Sequence, residues 1–65
     1  MVETQRSLGD LEVMTEMQLE QIISTEPGNA DNARYMLGKL QIEGTFPESV
    51  PRNDKKGINW IKTAV

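Results

Sequence analysis

Apolar residues recur at helical spacing in three stretches of this chain, which are separated by Gly and Pro residues. The first stretch predicts a helix within residues 9–26, because helix-forming residues dominate it. Ser7 and Asp10 have the spacing of a capping box, and Pro27 and Gly28 are expected to end the helix. The apolar stripe of this helix contains Leu11, Met14, Leu19, Ile22 and Ile23.

The second stretch predicts a closely packed helix that follows Asn29, a candidate N-cap residue. Its small and apolar residues recur with the spacing 3, 4, 3, 4, which is typical of a narrow seam between two packed helices. Gly38 is a poor residue for the middle of a helix unless a second backbone lies close to it. The seam contains Ala30, Ala33, Leu37, Leu40 and Gly44.

The third stretch predicts a last helix after a loop. Residues 44–51 hold one Gly and two Pro, which cannot continue a helix, and Asn53 is a second candidate N-cap. Helical spacing then continues to the last residue without a stop signal, so we expect a fragment or a piece that depends on assembly. The residues with this spacing are Gly57, Trp60, Ile61, Ala64 and Val65. No stretch alternates as a strand does, and the predicted fold class is all-α.

Residues 28–65 carry small, apolar and aromatic residues in an order that resembles one unit of the Sel1-like repeat, a relative of the tetratricopeptide helical hairpins. The residues that carry the resemblance are Ala33, Leu37, Gly38, Gly44, Val50, Lys56, Trp60 and Ala64. The chain departs from the family at Asn53 and Asp54, which replace the usual Asp and its follower, and in three further places. The loop after Gly44 is longer than usual, Gln41 stands where an aromatic is common, and Gly57 replaces an Ala.

The resemblance implies an antiparallel helical hairpin over residues 28–65, with residues 9–26 as the possible tail of a preceding repeat. In such stacked units the first helix lines a concave surface that holds ligands. This places Arg34, Tyr35 and Gln41 at a candidate protein-binding surface, with plain surface exposure as the alternative. The residues expected to serve packing are Ala33, Leu37, Gly38, Leu40, Gly44, Val50, Trp60 and Ala64.

Composition limits the chemistry that this chain can perform. It has no Cys and no His, which excludes disulfides and thiolate metal sites and removes the commonest general base. We therefore expect no enzyme activity, no cofactor and no metal. The net charge of -3 argues against binding to nucleic acid and against docking on an anionic membrane.

A chain of 65 residues buries only about 60% of its unfolded surface, so we expect a partner to support it. The first functional hypothesis is a protein–protein interaction scaffold or adaptor segment built from Sel1-like repeats, as part of a larger protein or assembly. The alternative is a free-standing small acidic helical regulator or inhibitor of one protein partner. Self-association through exposed helix faces fits either hypothesis. With no signal peptide and no membrane-spanning stretch, we expect a cytoplasmic protein whose residues 1–8 are frayed or disordered.

Overall fold

Four helices make up the part of the chain that the computed structural model describes, which is residues 5–64. They are α1 (Leu8–Glu12), α2 (Glu16–Thr25), α3 (Pro27–Glu43) and α4 (Asp54–Ala64). No strand occurs within this range, so the predicted all-α class is confirmed. Val65, the last residue of the predicted helical spacing, and residues 1–4 of the predicted frayed segment lie outside the described residues.

The first helical stretch is two helices, and the prediction of one continuous helix over residues 9–26 is wrong. Helix α1 begins after Ser7, whose side chain accepts a hydrogen bond from the backbone N–H of Asp10, as the capping spacing predicts. The chain then turns, and Thr15 caps α2. The Thr15 hydroxyl accepts from the Gln18 N–H at 3.2 Å, and the Gln18 side chain accepts from the Thr15 N–H at 3.0 Å. This reciprocal pair fixes the start of α2 and separates it from α1.

Helix α3 begins earlier than predicted, at Pro27 instead of after Asn29. Proline suits the first helical position because the missing N–H would have no partner within the helix there. Asn29 therefore lies inside the first turn and is buried, instead of capping the helix. The other end agrees with the prediction, since Gly44 ends α3 in the left-handed conformation at φ 67°.

The start of α4 also agrees with the prediction. The side-chain oxygen of Asn53 accepts a hydrogen bond from the Lys56 N–H at 3.1 Å, as an N-cap residue does. The preceding loop is tied to α2, because the carbonyl of Ser49 accepts from the Glu16 N–H at 3.0 Å. This contact leaves Val50 fully buried.

Helix α3 is the centre of the molecule, and the other three helices pack against it. The core contains Leu11, Leu19, Ile22, Ala33, Met36, Leu37, Leu40 and Val50, with Met14, Ile23 and Trp60 packed at its margin. Of the residues predicted to serve packing, five are buried: Ala33, Leu37, Gly38, Leu40 and Val50. The remaining three are partly buried: Gly44, Trp60 and Ala64.

Helices α3 and α4 run antiparallel. The carbonyl of Gln41 accepts from the Asn53 N–H at 2.8 Å, and Gly57, further along α4, meets Gly38, which lies earlier in α3. Asn29, which contacts the segment before α1, lies nine positions before Gly38, or roughly two and a half helical turns. The chain before α1 and helix α4 therefore approach opposite sides of α3.

Candidate protein-binding surface

The two backbones of α3 and α4 are in contact at a pair of glycines. A Cβ atom built on Gly38 would lie 2.6 Å from the Gly57 carbonyl oxygen, and one built on Gly57 would lie 2.6 Å from the Gly38 carbonyl oxygen. Real side chains do not tolerate such a distance, so neither position can hold a larger residue without moving the helices apart. Gly38 thus has the close backbone neighbour that its sequence position predicts. The contact requires glycine at position 57 as well, because only a residue without a Cβ fits there.

Two isoleucines flank the glycine pair. The same hypothetical Cβ atoms would lie 2.7 Å from Cγ1 of Ile61 on the Gly38 side and 2.7 Å from Cγ1 of Ile42 on the Gly57 side. Both isoleucines are partly buried. They pack beside the glycine pair where α4 crosses α3.

Trp60 packs against the margin of the core and lies partly exposed in a groove on the α2 side of α4. The groove has a volume of about 250 Å³ and is lined by Glu20, Lys56, Asn59, Trp60 and Thr63. The indole is therefore neither a fully buried plug nor a free surface group. It contributes apolar surface both to the core and to the groove.

Two of the three residues predicted to bind protein lie at the surface of α3. Tyr35 is 44% exposed. Arg34 is partly exposed, and its guanidinium pairs with the carboxylate of Asp31 at 3.0 Å, one turn earlier. This pair holds the Arg34 side chain along the helix. Tyr35 and Arg34 are adjacent in sequence and accessible, as a binding surface requires.

Gln41 does not lie at the surface, and its expected place at a concave binding surface is wrong. Gln41 is only 1% exposed, because α2 covers it. Its amide nitrogen donates to a carboxylate oxygen of Glu16 at 2.9 Å, while its Oε1 atom has no hydrogen-bond partner among the described residues. Gln41 therefore joins α3 to the first turn of α2, a role that its position in the sequence pattern does not reveal.

A second polar cluster joins the start of the described chain to α3, and sequence reasoning missed it. The Arg6 guanidinium binds both carboxylate oxygens of Glu26, at 2.8 and 2.9 Å, and the Arg6 N–H donates to the side-chain oxygen of Asn29 at 2.9 Å. The Asn29 amide in turn donates to Glu26 at 2.9 Å. Arg6 is thus held in place, whereas the sequence predicts that it belongs to a frayed or disordered segment.

The Arg6 guanidinium lowers the pKa of the Glu26 carboxyl below its ordinary value of 4.5. The hydrogen bond from Arg6 is the largest cause, because it stabilises the ionised carboxylate. The hydrogen bond from Asn29 acts in the same direction, while partial burial of the carboxyl opposes both. Glu26 is therefore ionised and paired throughout the neutral range.

Protein-family models, curated proteins and solved structures were compared with this chain, and none of them matches it. Within residues 5–64, no helix has both the length and the apolar character needed to cross a membrane. The same part of the chain contains no group of three or more His, Cys, Asp or Glu residues arranged to hold a metal ion.

Proposed function

We propose that this chain is a protein-binding scaffold segment of the Sel1-like type, in which α3 and α4 form one repeat unit and α2 belongs to a preceding one. The observation that carries the proposal is the antiparallel packing of α4 on α3, in which Gly38 lies against the backbone of α4. Repeat units of two helices depend on such close and regular packing, since each unit buries its apolar face only against its neighbours. The position of α3 between α2 and α4 is consistent with this arrangement.

The binding surface in this proposal is the exposed side of α3 around Tyr35 and Arg34. Tyr and Arg are enriched among residues that dominate binding energy at protein interfaces. The tyrosine ring offers a large contact area with few rotatable bonds, so little entropy is lost when a partner covers it. The ion pair with Asp31 restricts the Arg34 side chain before binding, so this side chain also loses little entropy when a partner binds.

Photo-crosslinking tests this proposal. A photoreactive amino acid in place of Tyr35 should give a discrete adduct with one partner protein in extracts of the source cells. Excess unmodified chain should suppress the adduct, whereas the Tyr35→Ala chain should compete at least about tenfold less well, as expected for a residue that dominates binding. The matched control carries the same photoreactive group at Met17, which is 78% exposed on α2 and far from Tyr35 in the sequence.

Two outcomes would contradict the proposal. One is that no adduct forms at position 35 while the protein is folded. The other is that positions 35 and 17 give the same set of adducts, which would indicate random collisions instead of a defined surface on α3.

A further inference from the structure

Charged residues are segregated along this chain. Residues 7–33 contain no Lys and no Arg, and all basic residues of the chain except Arg6 lie after this segment. The acidic residues of the first part are Asp10, Glu12, Glu16, Glu20, Glu26 and Asp31. The basic residues of the second part are Arg34, Lys39, Arg52, Lys55, Lys56 and Lys62, against three acidic residues there. The two parts of the sequence therefore carry net charges of opposite sign.

On α1 and the turn after it, exposed carboxylates surround an exposed apolar side chain. Asp10 and Glu12 are exposed, and Val13 is 74% exposed. We call these three residues the acidic surface. No basic side chain lies within this stretch of sequence. The nearest one in the sequence, Arg6, is paired with Glu26.

On α4, exposed lysines flank an exposed isoleucine. Lys55, Ile58 and Lys62 follow one another at spacings of three and four residues, so they form one stripe on the helix. All three are exposed, Ile58 by 47%. We call them the basic surface. The ion pairs within residues 5–64 include neither lysine, and the one acidic residue of α4, Asp54, is paired with Arg52 at 3.3 Å.

The two surfaces belong to different helices, α1 and α4, each of which packs on α3. They are complementary in sign of charge and in having an apolar centre.

We propose that the basic surface of one copy docks on the acidic surface of a second copy, so that the chain assembles head to tail. Ile58 and Val13 lose water at the centre of the contact, and Lys55 and Lys62 face Asp10 and Glu12 at its margin. The charges fix the orientation, since two basic or two acidic surfaces repel each other. Each added copy leaves one free surface of either kind, so the assembly stays open and grows with concentration.

This inference does not rest on the scaffold proposal, because it uses neither Tyr35 nor a second protein. Either proposal can fail while the other holds. A crosslinked partner at Tyr35 says nothing about assembly, and assembly of the pure chain says nothing about an outside partner.

Sedimentation equilibrium of the full chain tests the inference. The average mass should rise steadily with protein concentration beyond two chains, and it should fall as added salt screens the charges. Two charge-reversed chains, Lys55→Glu with Lys62→Glu and Asp10→Lys with Glu12→Lys, should each associate at least about tenfold more weakly than the natural chain. A mixture of the two reversed chains should associate again, because it brings opposite charges together at the contact.

Net charge supplies the control. The Asp10→Lys, Glu12→Lys chain is close to neutral, so general repulsion between copies would make it associate more strongly, whereas specific docking makes it associate less. Glu48→Lys reverses one charge in the exposed loop, outside both surfaces, and should leave association unchanged. Far-ultraviolet circular dichroism of each variant verifies that the helices are intact.

Three results would overturn the proposal. The first is a single-chain mass for the natural protein up to about 1 mM, which leaves no contact of measurable affinity. The second is a mass that stops at two chains, which indicates a closed symmetric dimer. The third is a mixture of folded reversed chains that fails to associate.

Discussion

The distance between α3 and α4 is set at the level of single atoms, by the hydrogens that Gly38 and Gly57 carry in place of a Cβ. Sequence reasoning could predict that Gly38 faces another backbone, because a glycine in the middle of a helix needs a reason. It could not identify Gly57 as that neighbour. Which residues meet depends on how far α4 slides along α3, and helical spacing alone leaves that register open.

Gly38→Ala should destabilise the protein although it improves helix propensity. Alanine gains up to about 1 kcal/mol over glycine within a helix, but its methyl group would lie 2.6 Å from the Gly57 carbonyl oxygen. Overpacking of this kind costs roughly 1–3 kcal/mol before the helices separate further. Urea unfolding followed by circular dichroism measures the net loss.

Gly9→Ala is the matched control for Gly38→Ala. A Cβ at this position in α1 would meet only the Ser7 hydroxyl oxygen, at 3.9 Å, which is an ordinary contact. This variant should be as stable as the natural chain or more stable. If Gly38→Ala were also neutral or stabilising, the two backbones would not be in contact at residue 38.

At the scale of the element, a pair of capping residues divides the first helical stretch. Residues 10–25 contain neither Gly nor Pro, which is why their pattern predicts one helix. The signal that could have corrected this is Thr15 with Gln18, which has the same spacing as a capping box. The capping geometry gives the backbone around Thr15 an alternative to a continued helix. The loop before α4 supports this geometry, because the Ser49 carbonyl accepts a hydrogen bond from the Glu16 N–H.

Thr15→Ala should cost about 1 kcal/mol of stability, as the loss of an N-cap side chain usually does. The variant loses the hydrogen bond from the Gln18 N–H to the Thr15 hydroxyl, whereas the backbone N–H of residue 15 can still donate to the Gln18 side chain. Ser24→Ala is the control, since Ser24 lies exposed inside the same helix and its hydroxyl only donates to the Glu20 carbonyl. That change should be neutral or slightly stabilising, because alanine is the better helix former. Equal effects of the two variants in thermal unfolding would contradict the capping role.

The ion pair between Arg6 and Glu26 connects the first described residues to the start of α3, and it should make stability depend on pH. Because the pKa of Glu26 is lowered in the folded protein, the pair contributes fully above the ordinary carboxyl pKa of 4.5. This contribution is lost as the pH falls through the lowered pKa and the carboxylate is protonated. Acid should therefore remove it, whereas a rise above neutral pH should not.

Comparison of the natural chain with Glu26→Gln isolates this contribution. The natural chain should melt at a higher temperature at about pH 7, and the difference should narrow towards about pH 3, because the Glu26 carboxylate is protonated as the pH falls through its lowered pKa. Glu48→Gln, in the exposed loop, should show no such difference at either pH. A Glu26→Gln difference that is the same at both pH values would mean that the Glu26 charge does not stabilise the fold.

At the scale of the whole molecule, the sequence pattern is informative about α3 and less so about what surrounds it. The seam from Ala30 to Leu40 is buried, and the ends of the following loop at Gly44 and Asn53 agree with the structure. The burial of Gln41 could not be predicted, because it follows from the position of α2, which is remote in sequence. The tie of Arg6 to α3 depends on the same kind of long-range packing.

The antiparallel crossing of α3 and α4 is the central claim about this molecule, and nuclear Overhauser spectroscopy tests it most directly. The α-protons of Gly38 and Gly57 should give strong cross-peaks with each other, since no side chain separates the two backbones. The γ1-methylene protons of Ile42 and Ile61 should give cross-peaks to the α-protons of Gly57 and Gly38, respectively. If both glycines are assigned and no cross-peak joins them, α4 does not cross α3 at this point and the proposed unit does not exist.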